Sequence, residues 1–314
     1  MEDISKKLYQ ILEESCNSCE SKLIALSGGL DSSILAHFFK KRKPEGIAII
    51  SEDFVSTDLT YCQTISKETK IPLTIYNAAT STILEAVEST IKILKNFNDI
   101  EIRNNVVMYL AIKWAKDNNK KSIITGDGAD ELFAGYNFLV NKPEKELESE
   151  IKRVCSIMHF PTQEIGKHLG IKIESPFLNQ KIVEIANQMP ANLKVKEESG
   201  TRYGKWILRK TIEKHIPEQI VWRKKSPMQE GAGTVGLTNL FESIINEEKY
   251  VEKKLTIEKN DQVVIRSRES MYYYEIFKKL YGTPVEEDAT SKCPYCKHGI
   301  SNSKFCRMCG AFPI

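Results

Sequence analysis

The chain has 314 residues, 41% of them hydrophobic and 28% charged, which is enough apolar content to bury a sizeable core and excludes a disordered polymer. Its 45 basic and 42 acidic residues leave a net charge of +3, too balanced to imply by itself a nucleic-acid or membrane partner, so any basic surface must be local. The opening "MEDISKKLYQILEESC" lacks an apolar signal core and no window is apolar for the length of a membrane span, so a cytoplasmic protein is expected, whose eight cysteines make a poor disulfide framework.

Ile4, Leu8, Ile11 and Leu12 lie on one face of a leading helix. Short apolar runs follow at 23–26, 46–50, 72–76 and 122–125. They are separated by 32–41, 58–70, 81–97 and 104–118, where apolar residues recur three and four apart. This alternation predicts an α/β fold, βα units around a parallel sheet flanked by helices, with 171–174 as a candidate fifth strand. From 178 to 280 the pattern is mostly helical, broken by the Gly-containing loop "SPMQEGAGT". Residues 282–291, "GTPVEEDATS", carry breakers and acids without apolar periodicity and read as a linker. The expected organisation is therefore an N-terminal helix (1–22), a large α/β domain (23–282), a linker (283–291) and a small terminal module (292–314).

The stretch "LIALSGGLDSSILAHFF" is a strand, a Gly-containing turn and a helix start. That arrangement aims backbone N–H groups and the positive end of a helix dipole at an anion. Gly28 and Gly29 let the backbone come close, and the hydroxyls of Ser27, Ser32 and Ser33 can donate to phosphate oxygens. The lysine of a P-loop is missing, and Asp31 would repel bare phosphate unless a magnesium ion lies between them. A second turn, "ITGDGADELFAGY", repeats the plan with Asp127, Asp130 and Glu131. If both turns end neighbouring parallel strands they share one crevice, and Asp31 and Asp130 could hold magnesium together. The plain alternative for each is a capped helix with solvated acids.

At these residues the chain resembles the synthetase domain of asparagine synthetases, within the PP-loop (N-type ATP pyrophosphatase, adenine nucleotide alpha hydrolase-like) superfamily. "SGGLDSS" looks like its pyrophosphate loop and "GDGADELFAGY" like its second signature. "EIRNN", "ESPFLNQKIVEIA", "KWILR" and "VWRKKSPMQEGAG" continue the likeness in order, so that it covers roughly residues 23 to 234. The resemblance implies that Ser27, Gly28, Gly29, Asp31 and Ser32 cradle the β- and γ-phosphates of ATP, and that Asp31 and Asp130 bind Mg2+. It implies that Leu26, Ser51, Thr125 and Gly126 touch the adenosine part. It further implies that Lys225 neutralises charge developing at the α-phosphate, with Lys205 and Arg103 as supporting cations, and that Asp127 is an acid near the reacting centre. The implied activity is an AMP-forming carbon–nitrogen ligase of asparagine biosynthesis: a carboxylate, aspartate first, is adenylated, ammonia displaces AMP, and pyrophosphate is released.

Two features depart from that family. Its full-length members begin with a Cys-led glutaminase domain, whereas this chain opens Met1-Glu2-Asp3, so ammonia is expected from solution or from a separate glutaminase. The best-known members carry Glu where Asp127 stands, and the shorter arm would move the base that takes a proton from ammonia.

Near the chain end, "CPYCKHGISNSKFCRMCG" holds two C-x-x-C pairs separated by nine residues. Thiolates at i and i+3 turn toward one ion, and two such knuckles form the tetrahedral sulfur set that zinc prefers, so a zinc ribbon with structural Zn2+ on Cys293, Cys296, Cys306 and Cys309 is expected and His298 is not a ligand. Residues 291–314 contain Lys292, Lys297, Lys304 and Arg307 and no acid, so the ribbon could grip a protein or tRNA. This raises the alternative of a PP-loop enzyme that thiolates or aminates tRNA. The lone pair Cys16 and Cys19 could be a redox couple, half of a metal site or two ordinary thiols, and Tyr272, Tyr273 and Tyr274 are expected to pack a helix.

Overall fold

The computed structural model describes residues 2–300 and 304–314, so 301–303 of the expected ribbon lie outside the described residues. The chain forms two compact units: Met1–Ile50, Thr57–Tyr76 and Ala111–Pro227 make the first, and Ser51–Ser56, Asn77–Leu110 and Met228–Ile314 the second.

The first unit is built on a five-stranded sheet. Its strands are β1 (Leu23–Ala25), β2 (Glu45–Ser51), β3 (Leu73–Ala78), β4 (Ser122–Ile124) and β5 (Lys172–Glu174), in the order β3-β2-β1-β4-β5. β1 runs parallel to β2 and β4, and β4 parallel to β5, with Ile24 opposite Ile124. β2 is buried along nearly its whole length, as a strand covered on both faces must be. From β1 the chain moves outward to β2 and β3 and then returns to β4, so β1 and β4 flank a topological switch point, the place where open parallel sheets bind ligands. Helix α1 (Glu2–Ser18) buries Leu8, Leu12 and Cys16, whose spacing of four lays them on one stripe. α1 and α2 (Leu30–Phe39) share a core with Phe133, Phe177 and Trp206.

The predicted strands all form, and so do the predicted helices, as α2, α3 (Leu59–Thr69), α4 (Thr80–Leu94) and α5 (Asp99–Asp117). α5 starts five residues before the predicted 104, because Asn98 caps it: its Oδ1 accepts from Glu101 N–H, and its Nδ2 donates to the Glu101 carboxylate. Asparagine at an N-cap fixes a helix start more firmly than the weak apolar pattern there. The largely helical stretch after 178 is interrupted by a hairpin, Lys196–Glu198 against Thr201–Tyr203. Its two-residue turn, Ser199 and Gly200, has φ of 50° and 75°, as a type I′ turn demands.

In the second unit α4 packs on the helix Arg268–Tyr281. Tyr273 and Tyr274 are fully buried and donate to Glu269 and Asp261, and Tyr272 lies on Phe241, so the aromatic run packs a helix as expected. Among the described residues no helix is long and apolar enough to cross a membrane.

One buried group in the first unit ties stability to pH. His37 of α2 is buried, with Tyr9 Oη 2.9 Å from its Nε2 and the His215 ring 5.0 Å away. Burial, then the neighbouring Lys40, His215 and Lys41, push its pKa down to about 4. Between that value and the unfolded histidine value of roughly 6.5, the unfolded chain takes up a proton that the folded chain refuses, so stability falls as pH drops through this window. The expected loss from this residue is about 2–3 kcal/mol between pH 7 and 4. Denaturant titrations should show a shallower pH dependence for His37→Gln than for the parent; equal slopes would rule this contribution out.

Candidate active site and metal centre

The turn after β1 is held by hydrogen bonds among Ser27, Gly29 and Ser32. Ser27 Oγ accepts from Gly29 N–H (3.3 Å) and lies 3.2 Å from Ser32 Oγ, which in turn donates to Gly29 O. Gly28 has φ +68°, and a Cβ there would stand 2.4 Å from the Tyr61 backbone, so only glycine fits. Gly29 opens α2 without a side-chain cap, which leaves the first helical amides to point into the turn. Leu26 itself is buried, so any contact it makes with a nucleotide is through main chain.

The turn after β4 stands beside it. A Cβ on Gly126 would meet Asp31 Cβ at 3.1 Å, and Gly128 takes φ +94° with Leu178 against it. The short helix Ala129–Leu132 then presents Asp130 and Glu131. Lys205 joins the two turns: its Nζ lies 2.6 Å from Asp31 Oδ2 and 2.7 Å from Asp130 Oδ1. Lys225 Nζ lies 2.7 Å from Asp130 Oδ2. Two acids and two lysines from four separate segments thus form one compensated cluster. Burial opposes ionisation of Asp130, but Lys205 and Lys225 outweigh it and hold the carboxyl far below the usual range. Burial likewise opposes the charge on Lys225, and Asp130 and Asp31 outweigh it.

Backbone strain accompanies this cluster. Lys205 sits at φ +55° immediately before the helix Trp206–Ile212, and Ala134 at φ +57°. Both are left-handed non-glycine residues, which persist where the surroundings over-determine them. Lys205 N–H donates to Phe133 O, and Gly135 leaves room for the Asp130 and Lys205 side chains, since a Cβ there would fall 2.0 Å from Asp130 Oδ1.

The sequence model of the asparagine synthase family matches residues 4–160 and 142–295. The chain belongs to the asparagine synthase family. It is 26% identical over 308 residues to asparagine synthetase B [glutamine-hydrolyzing] of Escherichia coli, covering 88% of this chain and 54% of that protein. A probable asparagine synthetase of Dictyostelium discoideum is 24% identical, over 82% of this chain and 51% of its own. The root asparagine synthetase of Pisum sativum is 26% identical, over 82% and 48%. The chain spans about half the length of the curated relatives it matches.

Within this asparagine synthase-family chain, Asp127 has its own partners. Its Oδ2 accepts from the hydroxyls of Thr162 (2.5 Å) and Thr125 (2.8 Å), with Ser175 at 3.5 Å. Burial raises its pKa and the three hydroxyls offset part of the rise. Ser175 lies in the stretch "ESPFLNQKIVEIA" with no role implied for it there, and Thr162 lies in none of the sequence motifs. Ser51 closes β2 and belongs to the second unit, where its N–H donates to Ala232 O. Arg103, also of the second unit, is buried and donates to Glu269, Gln229 and Thr238.

The four C-terminal cysteines come together as the sequence implied. Their sulfurs all lie within 4.8 Å of one another, with Cys293 and Cys309 at 3.7 Å and Cys296 and Cys306 at 3.6 Å. A tetrahedral ion with Zn–S bonds of about 2.3 Å places its sulfurs roughly 3.8 Å apart, so the donor set fits zinc. His298 faces Glu286 and Pro284 O instead. Cys16 and Cys19 do not join any such group among the described residues; burial raises both thiols, Cys19 to about 11, which makes them poor redox nucleophiles.

Proposed function

We propose that the protein is a cytoplasmic ATP-dependent ligase that adenylates a small carboxylate, aspartate first, and transfers ammonia to it with release of AMP and pyrophosphate. The observation that carries this reading is the lysine bridge between the acids of the β1 and β4 turns, with Lys225 on the remaining Asp130 oxygen. A carboxylate cannot be amidated directly because its oxide is a poor leaving group. Attack on the α-phosphorus of ATP turns that oxide into AMP, which leaves readily. Ser27, Gly28, Gly29 and Ser32 offer hydroxyls and amides to the β- and γ-phosphates. Lys225 stabilises charge growing at the α-phosphate. Ammonia, supplied by solution or by a separate glutaminase, bonds to the acyl carbon and so becomes ammonium-like; Asp127, made more basic by burial, takes the proton that this nitrogen loses as AMP departs.

The acids suit Mg2+. Asp31 Oδ1 is buried with no hydrogen-bond partner, and two carboxylates leave the remaining positions of a hard cation to phosphate and water. Bound there, the ion would neutralise the departing pyrophosphate. In the second unit Cys293, Cys296, Cys306 and Cys309 would close the shell of a structural Zn2+ with no place for water.

The test supplies purified protein with ATP, Mg2+ and labelled ammonium, and offers aspartate, other amino acids or tRNA. Labelled asparagine appearing together with AMP and pyrophosphate is expected. Label entering tRNA, with pyrophosphate release that ignores aspartate, would establish the RNA-modifying alternative in its place.

A further inference from the structure

The two metal knuckles are near-copies. In each, the amide after the second cysteine returns to the first: Lys297 N–H donates to Cys293 O and Gly310 N–H to Cys306 O. The closing residue is left-handed in both, with φ +60° at Lys297 and +75° at Gly310. Lysine occupies that conformation in the first knuckle, so conformation alone does not demand the glycine in the second. Its surroundings do: a Cβ on Gly310 would fall 2.5 Å from Asn98 Oδ1 and 3.1 Å from Arg266 Nη2.

Asn98 is the cap of α5, and the second knuckle touches that cap residue by residue. Met308 O accepts from Phe97 N–H (2.9 Å), and Gly310 seats on Asn98. Arg266 Nη2 donates to Cys309 O (2.6 Å) and approaches the Asp99 carboxylate at 3.4 Å. The first knuckle meets the segment that carries Arg266, where Tyr295 O accepts from Val264 N–H (2.7 Å). One turn into α5, Asn104 Oδ1 accepts from Gln229 N–H, Arg103 Nε donates to Gln229 Oε1, and Thr234 Oγ1 donates to Arg103 O. Gln229 follows Lys225 by four residues in the same loop sequence.

We infer that the cysteine knuckles are a metal-set clasp on the N-terminal cap of α5, which orders residues 97–104 and, through Arg103 and Asn104, the segment around Gln229. The inference rests on zinc occupying the four cysteines. It assigns the ribbon a positioning role inside the second unit, separate from any surface for nucleic acid.

Amide hydrogen exchange on the full chain tests it, with the metal present, after removal by a chelator, and after zinc is restored. Removal is expected to speed exchange at Phe97 and Val264 about tenfold, as loss of one anchored hydrogen bond allows, and to spread to 99–104. The β4 amides should not change, and restored zinc should reverse the effect. Arg266→Ala and Gly310→Ala should speed Phe97 exchange while retaining the absorption of a Co2+ tetrathiolate, and Lys297→Ala should leave Phe97 as it is. Metal loss with Phe97 and Val264 unchanged, or Arg266→Ala and Gly310→Ala both exchanging like the parent, would overturn the clasp. A chain that takes up neither Zn2+ nor Co2+ would instead overturn the zinc reading on which it stands.

Discussion

Lys205→Met is expected to cost the first unit about 3–5 kcal/mol of stability at neutral pH, the usual effect of removing one partner from a buried ion pair. The side chain is only 4% exposed, and its ammonium is the common neighbour of Asp31 and Asp130. Without it, Asp31 loses its ion pair to Lys205, and Asp130 keeps the pair to Lys225. The two neighbouring carboxylates are then left with one paired cation, Lys225 on Asp130. The left-handed backbone at Lys205 is equally strained for methionine, so the change is electrostatic and not conformational. Its pH dependence follows from the sign of the Asp130 shift. A carboxyl held below its ordinary value contributes stability that is present above the unfolded value of roughly 3.9 and lost as pH falls through the folded one. The gap between parent and variant should therefore be widest above about pH 5 and narrow toward acid, where the variant's carboxyls take up protons. Urea titrations at neutral and acid pH measure both ends. A variant within about 1 kcal/mol of the parent at neutral pH would mean that the bridge contributes no more than a surface pair.

How much of this was legible beforehand depends on how local each signal is. The parallel sheet could be read because its strands announce themselves by short apolar runs and its helices by spacing of three and four. The adjacency of the two Gly-acid turns followed from the rule for open parallel sheets, and the order β3-β2-β1-β4-β5 puts Asp31 and Asp130 where that rule expects them. Lys205 and Lys225 were reached only through the family resemblance. No periodicity marks a lysine that enters a cluster from 174 or 95 residues away, and the left-handed residue that aims Lys205 is a tertiary choice. Of the hydroxyls on Asp127, Thr125 stands two residues away in the same motif, but that Thr162 and Ser175 meet the acid could not be read, since they come from 35 and 48 residues further along. The cysteine spacing named four thiols that come together, because donor geometry is written in intervals. What the knuckles dock against was not written there, and the Asn98 cap of α5 that meets them was not read from the sequence.

Lys225→Ala separates chemistry from folding in a way Lys205→Met does not. Lys225 is 27% exposed and touches only one oxygen of Asp130, whose other oxygen keeps Lys205. Asp130 therefore keeps one ion pair, to Lys205, and stability should fall by less than in Lys205→Met, where Asp31 and Asp130 both lose a partner. ATP affinity should change little, because the amides and hydroxyls around Ser27, Gly29 and Ser32 remain in place. Turnover is where the loss appears. As the carboxylate attacks, negative charge grows on the α-phosphoryl oxygens and on the departing pyrophosphate, and a fixed cation at that point stabilises the transition state more than the ground state. Removing one such group costs about 100- to 1,000-fold in kcat. Pyrophosphate release measured at saturating ATP, beside a direct titration of ATP binding, distinguishes the two effects. Lys225→Arg keeps the charge but spreads it over a planar fork, so partial recovery is expected and full recovery is not. Turnover at the parent level in Lys225→Ala would remove this lysine from the chemistry and leave Lys205 as the cation facing the reacting phosphate.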